Sequence, residues 1–205
     1  MAEPLAVQDG QLRGLTPSQT VGPFLHLVLA DPSEAFAVPE GTAGGFWLRG
    51  RVTDGNGEAV FDALVETWQA DPSGRFNHPD DPRGAEPPER IEFSGFSEFS
   101  GFGRCATDDE GNWAIFTVKP GSLPGLDGAA QAPHLAVSVF ARGLLDRVVT
   151  RAYFADEKEA NAADPVLATL PDPSRRATLL AEVSGDGYRF DVRLQGHDET
   201  VFFDL

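Results

Sequence analysis

Gln131-Ala132-Pro133-His134-Leu135-Ala136-Val137-Ser138-Val139-Phe140 reads as a β-strand. On a strand, residues i and i+2 point to the same face. A His-x-His pair at its start would offer two imidazoles to one metal ion. Here the second place holds Ala136, which carries no ligand atom. The same three residues raise a metal-enzyme reading and argue against this chain holding the metal.

Outward from that strand the pattern stays β. Residues 46–53 alternate, and Asp54-Gly55-Asn56-Gly57 is expected as a hairpin turn. Residues 63–69, 112–118 and 147–154 are further expected strands. Tyr188-Arg189-Phe190-Asp191-Val192-Arg193-Leu194 alternates cleanly, and Thr200-Val201-Phe202-Phe203 closes the chain. Strands at this spacing, with turns between them, predict an all-β fold: a two-sheet β-sandwich with long loops. One or two short helices are expected, at 156–161 and 172–180. The second has Asp172 as cap and Pro173 at the first helical position.

Residues 1–45 differ from the rest. They are rich in Pro, Gly and Ala and show no sustained alternation, so they read as a long N-terminal arm ahead of a sandwich domain at 46–205. Such an arm packs on its own domain or reaches another subunit. The segment 71–104 also lacks clear periodicity. Its Phe93, Phe96, Phe99 and Phe102 recur at every third place, but the Ser-Gly pairs between them favour an irregular loop buried at an interface.

With 205 residues the chain can build one sizeable core. Its 16 Lys and Arg against 32 Asp and Glu give a net charge of -16, which makes nucleic acid a poor partner. A small anionic substrate is awkward too, unless positive charge is concentrated locally or supplied by a partner. Cys105 stands alone, so no intrachain disulfide is possible, and it reads as a small buried residue in a reduced compartment. The stretch Met1 to Gly10 does not resemble a signal peptide, and no run approaches the roughly 20 apolar residues of a membrane span. A cytoplasmic protein is expected, without membrane partners.

The four histidines, His26, His78, His134 and His197, are too scattered for a local metal motif. His78 and His197 are expected to be solvated, and Tyr188 to pack at the opening of a core strand. Arg142, between Ala141 and Gly143, lies in a loop where small neighbours let a guanidinium reach a carboxylate with two bonds. No glycine-rich phosphate loop or Gly-x-Ser-x-Gly elbow is present.

Several segments, in order and at compatible spacings, resemble the intradiol ring-cleaving aromatic dioxygenases. They are Thr16-Pro17-Ser18-Gln19-Thr20-Val21-Gly22-Pro23-Phe24, Asp54-Gly55-Asn56-Gly57, Glu66-Thr67-Trp68-Gln69-Ala70-Asp71, Gly101-Phe102-Gly103-Arg104, Thr117-Val118-Lys119-Pro120-Gly121, Ala132-Pro133-His134, Phe140-Ala141-Arg142-Gly143 and Tyr188–Gly196. The resemblance covers almost the whole chain and implies a β-sandwich.

In that family a catalytic chain holds a non-haem ferric ion with two tyrosines and two histidines. The matching positions here are Phe76, Leu123, His134 and Ala136, and Gln131 matches an arginine that accompanies the iron. Three of the four ligands are therefore absent. The resemblance implies a chain without metal of its own, an α subunit paired with an iron-bearing β subunit in a hetero-oligomer that cleaves protocatechuate with O2. It implies that Thr20, Gly22 and Pro23 of the arm, and Arg142, complete the substrate pocket of that partner. Phe24 stands where some relatives have a tyrosine. Two other readings stay open: a non-catalytic β-sandwich interaction module with a vestigial site, and an independent metalloenzyme that uses His134 with unforeseen ligands.

Overall fold

A computed structural model describes residues 16–78, 80–81, 99–125 and 128–204. The expectations for Met1 to Gly10, Phe93 and Phe96 lie outside these residues. The strands are β1 (Gly45–Thr53), β2 (Leu64–Trp68), β3 (Phe102–Ala106), β4 (Asn112–Val118), β5 (Leu123–Pro124), β6 (Ala130–Gln131), β7 (His134–Phe140), β8 (Val148–Phe154), β9 (Leu180–Ser184), β10 (Gly187–Arg189) and β11 (Val192–Arg193). Short helices are α1 (Leu25–Leu29), α2 (Lys158–Ala163), α3 (Pro165–Ala168) and α4 (Pro173–Ala177), with a 3-10 turn at Pro32–Ala35. None is long and apolar enough to cross a membrane, among the described residues.

Two sheets face each other. In one, β1 lies between antiparallel β4 and the parallel pair β10 and β11. In the other, the order is β3-β2-β7-β8. The strand β9 serves both: Leu180 and Ala181 pair with Tyr153 and Phe154 of β8, and Glu182, Val183 and Ser184 pair with β10. Alternation decides what goes inside, since every second residue of β1 is buried. Leu48, Val52 and Ile115 of one sheet meet Val65, Val137 and Val139 of the other in a single apolar cluster. Phe154, fully buried, meets the rings of Phe46 and Tyr188 edge-on. Tyr188 therefore packs, as expected.

The structure corrects several local expectations. Asp54–Gly57 is a hairpin turn as expected, closed by a 3.1 Å bond from Gly57 N to Asp54 O, with Thr53 paired antiparallel to Ala59 and Val60 N donating to Val52 O at 3.0 Å, but the pairing is short. The flanking strands β1 and β2 lie in opposite sheets. The chain crosses between them at Phe61 and Asp62, and the buried Thr107 hydroxyl fixes that crossing. Its Oγ1 donates to Val60 O at 2.8 Å and accepts from Ala63 N at 3.0 Å. The strand expected at Tyr188–Leu194 is split into β10 and β11. The Asp191 carboxylate takes the Arg51 N–H at 2.9 Å, replacing a main-chain acceptor in the ladder. Phe190 approaches Gly50 so closely that a Cβ there would lie 1.8 Å from Phe190 O, so only glycine fits.

Residues 200–203 are not a strand, although Phe203 N donates to Val149 O at 2.8 Å. The segment 71–104 ends in a strand, β3, and Phe99 is buried in its own domain against Val38, Phe116 and Val118. The helix expected to reach residue 180 stops at Ala177, where Leu179 is drawn into the core and Leu180 begins β9. Asp172 caps it as expected, accepting from Ser174 N at 2.8 Å.

Candidate functional site

His134 opens β7 and is 6% exposed. Its Nδ1 lies 2.7 Å from Ala132 O, and a carbonyl only accepts, so Nδ1 carries the proton. Burial, joined by the nearby Arg151 cation, holds the imidazole down to about 4, so it is neutral at pH 7. Across β8 the ring faces Tyr153, 5.1 Å away. Ala136 lies between Trp68 of β2 and Arg151 of β8. Phe76 stacks on Trp68 with ring centroids 6.0 Å apart. Leu123 pairs with Gln131 across β5 and β6, and Gln131 Oε1 accepts from Arg151 at 2.6 Å. Register and contacts therefore gather Phe76, Leu123, Gln131, His134 and Ala136 around Arg151 and Trp68.

This region is filled by its own polar network. Arg151 also donates to the Tyr153 hydroxyl at 3.2 Å, and that hydroxyl donates to Asp164 Oδ1 at 3.4 Å. Asp164 is fully buried and accepts from Ala132 N, Val166 N and Leu167 N, each at 2.8 Å. Burial pushes the Tyr153 hydroxyl up to about 12, so no phenolate forms there at neutral pH.

A ferric ion requires several anionic or imidazole donors. Phe76, Leu123 and Ala136 present hydrocarbon, Gln131 an amide already engaged by Arg151, and only His134 a ring nitrogen. Among the described residues no group of three or more His, Cys, Asp or Glu is placed to hold a metal. The Arg151 guanidinium is itself a cation in the same space. The residues present do not fit an iron ion.

The opposite end of β7 is open. Arg142 follows Phe140 and Ala141 in a tight turn, with Gly143 at φ 91. Gly143 N donates to Thr20 Oγ1 at 2.7 Å, which ties the arm to the turn. Arg142 remains half exposed, with its Nε against the Asp62 carboxylate and its guanidinium carbon 5.5 Å from the Phe61 ring centroid. Thr20, Gly22 and Pro23 are exposed, and a Cβ added at Gly22 would meet nothing within 4 Å. Val21, Phe140, Ala141, Leu144, Leu145, Asp146 and Arg147 line a cleft of about 250 Å³ beside the turn. Phe24, Leu27, Val28, Phe61 and Leu145 stand exposed on the arm or next to this turn. Exposed apolar side chains gathered like this mark an interaction surface.

The chain and its fold have counterparts among known proteins. Residues 31–196 match the family model described as "Dioxygenase". The protocatechuate 3,4-dioxygenase alpha chain of Pseudomonas putida is 42% identical, over 93% of this chain and 96% of that one. This chain is a member of the intradiol ring-cleaving dioxygenase family. The beta chain of the same enzyme from Burkholderia cepacia is 36% identical, over 75% of this chain and 65% of that one. Relatives of this chain thus come in two kinds, alpha and beta, and it is a homologue of the alpha kind. The dioxygenase domain of a carbohydrate-binding fusion protein from Streptomyces sp. SirexAA-E shares the fold. Its TM-score is 0.55 at 24% identity, with 79% of this chain and 87% of that one covered.

The residues that sequence reasoning missed are those that fill the space around His134. Arg151, Tyr153 and Asp164 look like an ordinary strand arginine, a strand tyrosine and a turn acid. Only the antiparallel register of β7 and β8 sets Arg151 opposite Ala136. Asp62 is a further residue that sequence reasoning missed, with a side chain only 6% exposed. An acid directly before the apolar run Ala63-Leu64-Val65 was the available signal. Cys105 is half-buried, and burial pushes its thiol up, which removes it as a nucleophile.

Proposed function

We propose that this chain is the α subunit of a heteromeric protocatechuate 3,4-dioxygenase, and that it completes the substrate pocket of an iron-bearing β subunit. The reaction joins protocatechuate and O2 to give 3-carboxy-cis,cis-muconate, and the partner's ferric ion supplies its redox chemistry. This chain recognises and encloses the substrate.

The observation that carries this reading is the 2.7 Å bond from Gly143 N to Thr20 Oγ1. It ties Thr20 of the arm to the Arg142 turn, so two segments far apart in sequence contribute to one surface. Arg142 offers a guanidinium to the substrate carboxylate, a pairing favoured when a partner excludes water. On a chain of net charge -16 this local cation is what lets an anionic substrate approach. The bare backbone at Gly22 and the fixed φ of Pro23 leave room for a close neighbour. Such a wall orients the ring and shields it from solvent. A charge-assisted pair of this kind contributes about 1.5–3 kcal/mol. The filled space around His134 supports a division of labour in which the iron lies in the other chain.

Expression alone and together with the β subunit tests the proposal. Oxygen uptake with protocatechuate, and the colour of a ferric centre, are expected only from the pair. Turnover or stoichiometric iron in the isolated chain would overturn the division of labour. A complex whose turnover ignores Arg142→Ala would return the chain to the interaction-module reading.

A further inference from the structure

Asp62 stands out among the acidic side chains because it is buried and no hydrogen bond satisfies its Oδ2. The one charged group in contact with that oxygen, among the described residues, is Arg142 Nε. A buried carboxylate without a full set of partners is costly, so such an arrangement persists for a reason. Asp62 is also rigidly held. It lies in the crossing between β1 and β2, where Thr107 Oγ1 bonds Val60 O on one side and Ala63 N on the other.

The guanidinium is a flat fork with three edges. Asp62 occupies the Nε side, and the Phe61 ring lies near the guanidinium, 5.5 Å from its central carbon. The paired terminal Nη1 and Nη2 groups make no hydrogen bond or ion pair to this chain's described residues. That end-on edge matches a flat carboxylate with two parallel bonds. A free arginine side chain loses rotamer freedom on binding, so fixing it beforehand favours the ligand.

We propose that Asp62 is a positioning residue for carboxylate recognition: it grips Arg142 by its Nε edge and presents the terminal N–H pair outward to the aromatic acid. The proposal rests on the reading of Arg142 given above and adds a residue that never touches the substrate. It also predicts the opposite of simple electrostatics. If Asp62 mattered only through its charge, removing it would strengthen the binding of an anion.

The test uses the assembled αβ complex under anaerobic conditions. Binding of protocatechuate and of catechol, which lacks the carboxylate, is measured with wild type, Asp62→Asn, Arg142→Ala and the double variant. Assembly and melting are checked for each. Asp62→Asn is expected to weaken protocatechuate binding roughly tenfold, to leave catechol binding unchanged, and to have no further effect once Arg142 is alanine. In turnover, KM for protocatechuate rises while kcat holds. Unchanged or tighter protocatechuate binding in Asp62→Asn overturns the proposal. So does an equal loss for both ligands, or a loss that persists without Arg142. An Arg142→Ala complex that binds protocatechuate normally would defeat the recognition reading itself, which is a separate outcome.

Discussion

The two ends of β7 offer different things to a ligand. At its start, His134 is buried, neutral and locked to Ala132 O, and Arg151, Gln131, Tyr153 and Asp164 fill the space around it. Just beyond its end, Arg142 is half exposed, held on one edge and free on another, beside an arm that carries unpaired apolar side chains. A polar network that satisfies itself has nothing left to bind with. A surface with exposed apolar groups and a partly used cation is incomplete until something covers it. One end of β7 is closed by its own side chains, and the other has stayed open.

Four measurements test that contrast, beginning with the closed end. Asp164→Ala orphans the buried Ala132 N–H, removes the cap of α3 and strips Tyr153 of its acceptor. A loss of about 3–5 kcal/mol in unfolding free energy is expected, seen as a melting point lower by roughly 6–15 °C. A change within about 1 kcal/mol would mean that the inner network does not hold this end together.

His134 gives a pH signature. Its pKa is lowered from 6.5 to about 4 in the fold, so the unfolded chain binds the proton more readily. The stability this contributes is complete above pH 6.5 and is lost as pH falls towards 4. The full span is on the order of 3 kcal/mol, from 1.36 kcal/mol per unit. Denaturant titrations at several pH values should show a steeper acid decline in wild type than in His134→Gln. Parallel curves would dismiss the idea that His134 is kept neutral by the fold.

At the open end, Arg142→Ala leaves the buried Asp62 carboxylate without its cation, so a loss of about 1–3 kcal/mol in the unfolding free energy of the isolated chain is expected. In the complex it should weaken protocatechuate binding about 10- to 100-fold. That loss of stability with protocatechuate binding unchanged would make Arg142 a structural residue only. The smallest effect belongs to Thr20→Val, which removes an exposed acceptor contributing about 0.5–1.5 kcal/mol. Faster hydrogen exchange at the Gly143 amide is the expected readout, with a modest loss of affinity for the β subunit. Unchanged exchange would show that the arm is held by something else.

The central strands were legible in the sequence because burial on one face imposes alternation there. Residues 112–118 form β4 with the expected limits, and the strand expected from Gln131 is β7 from His134 to Phe140, with Gln131 in β6. Alternation says nothing about partners, so the short hairpin at Asp54–Gly57 gives no sign that β1 and β2 enter different sheets. Nor could it show that the Asp191 side chain would take a ladder hydrogen bond and divide a strand in two. The same limit applies to the sites. A missing ligand at Ala136 is visible in the chain, but the cation that faces it comes from a strand whose register is a tertiary fact. Likewise Thr20 and Gly143 lie 123 residues apart, and only folding brings them together.

Because β9 belongs to both sheets, neither can be finished without it. Its residues lie near the end of the sequence, at 180–184. The sandwich therefore cannot seal until β9 is in place, and the two sheets close as one cooperative unit.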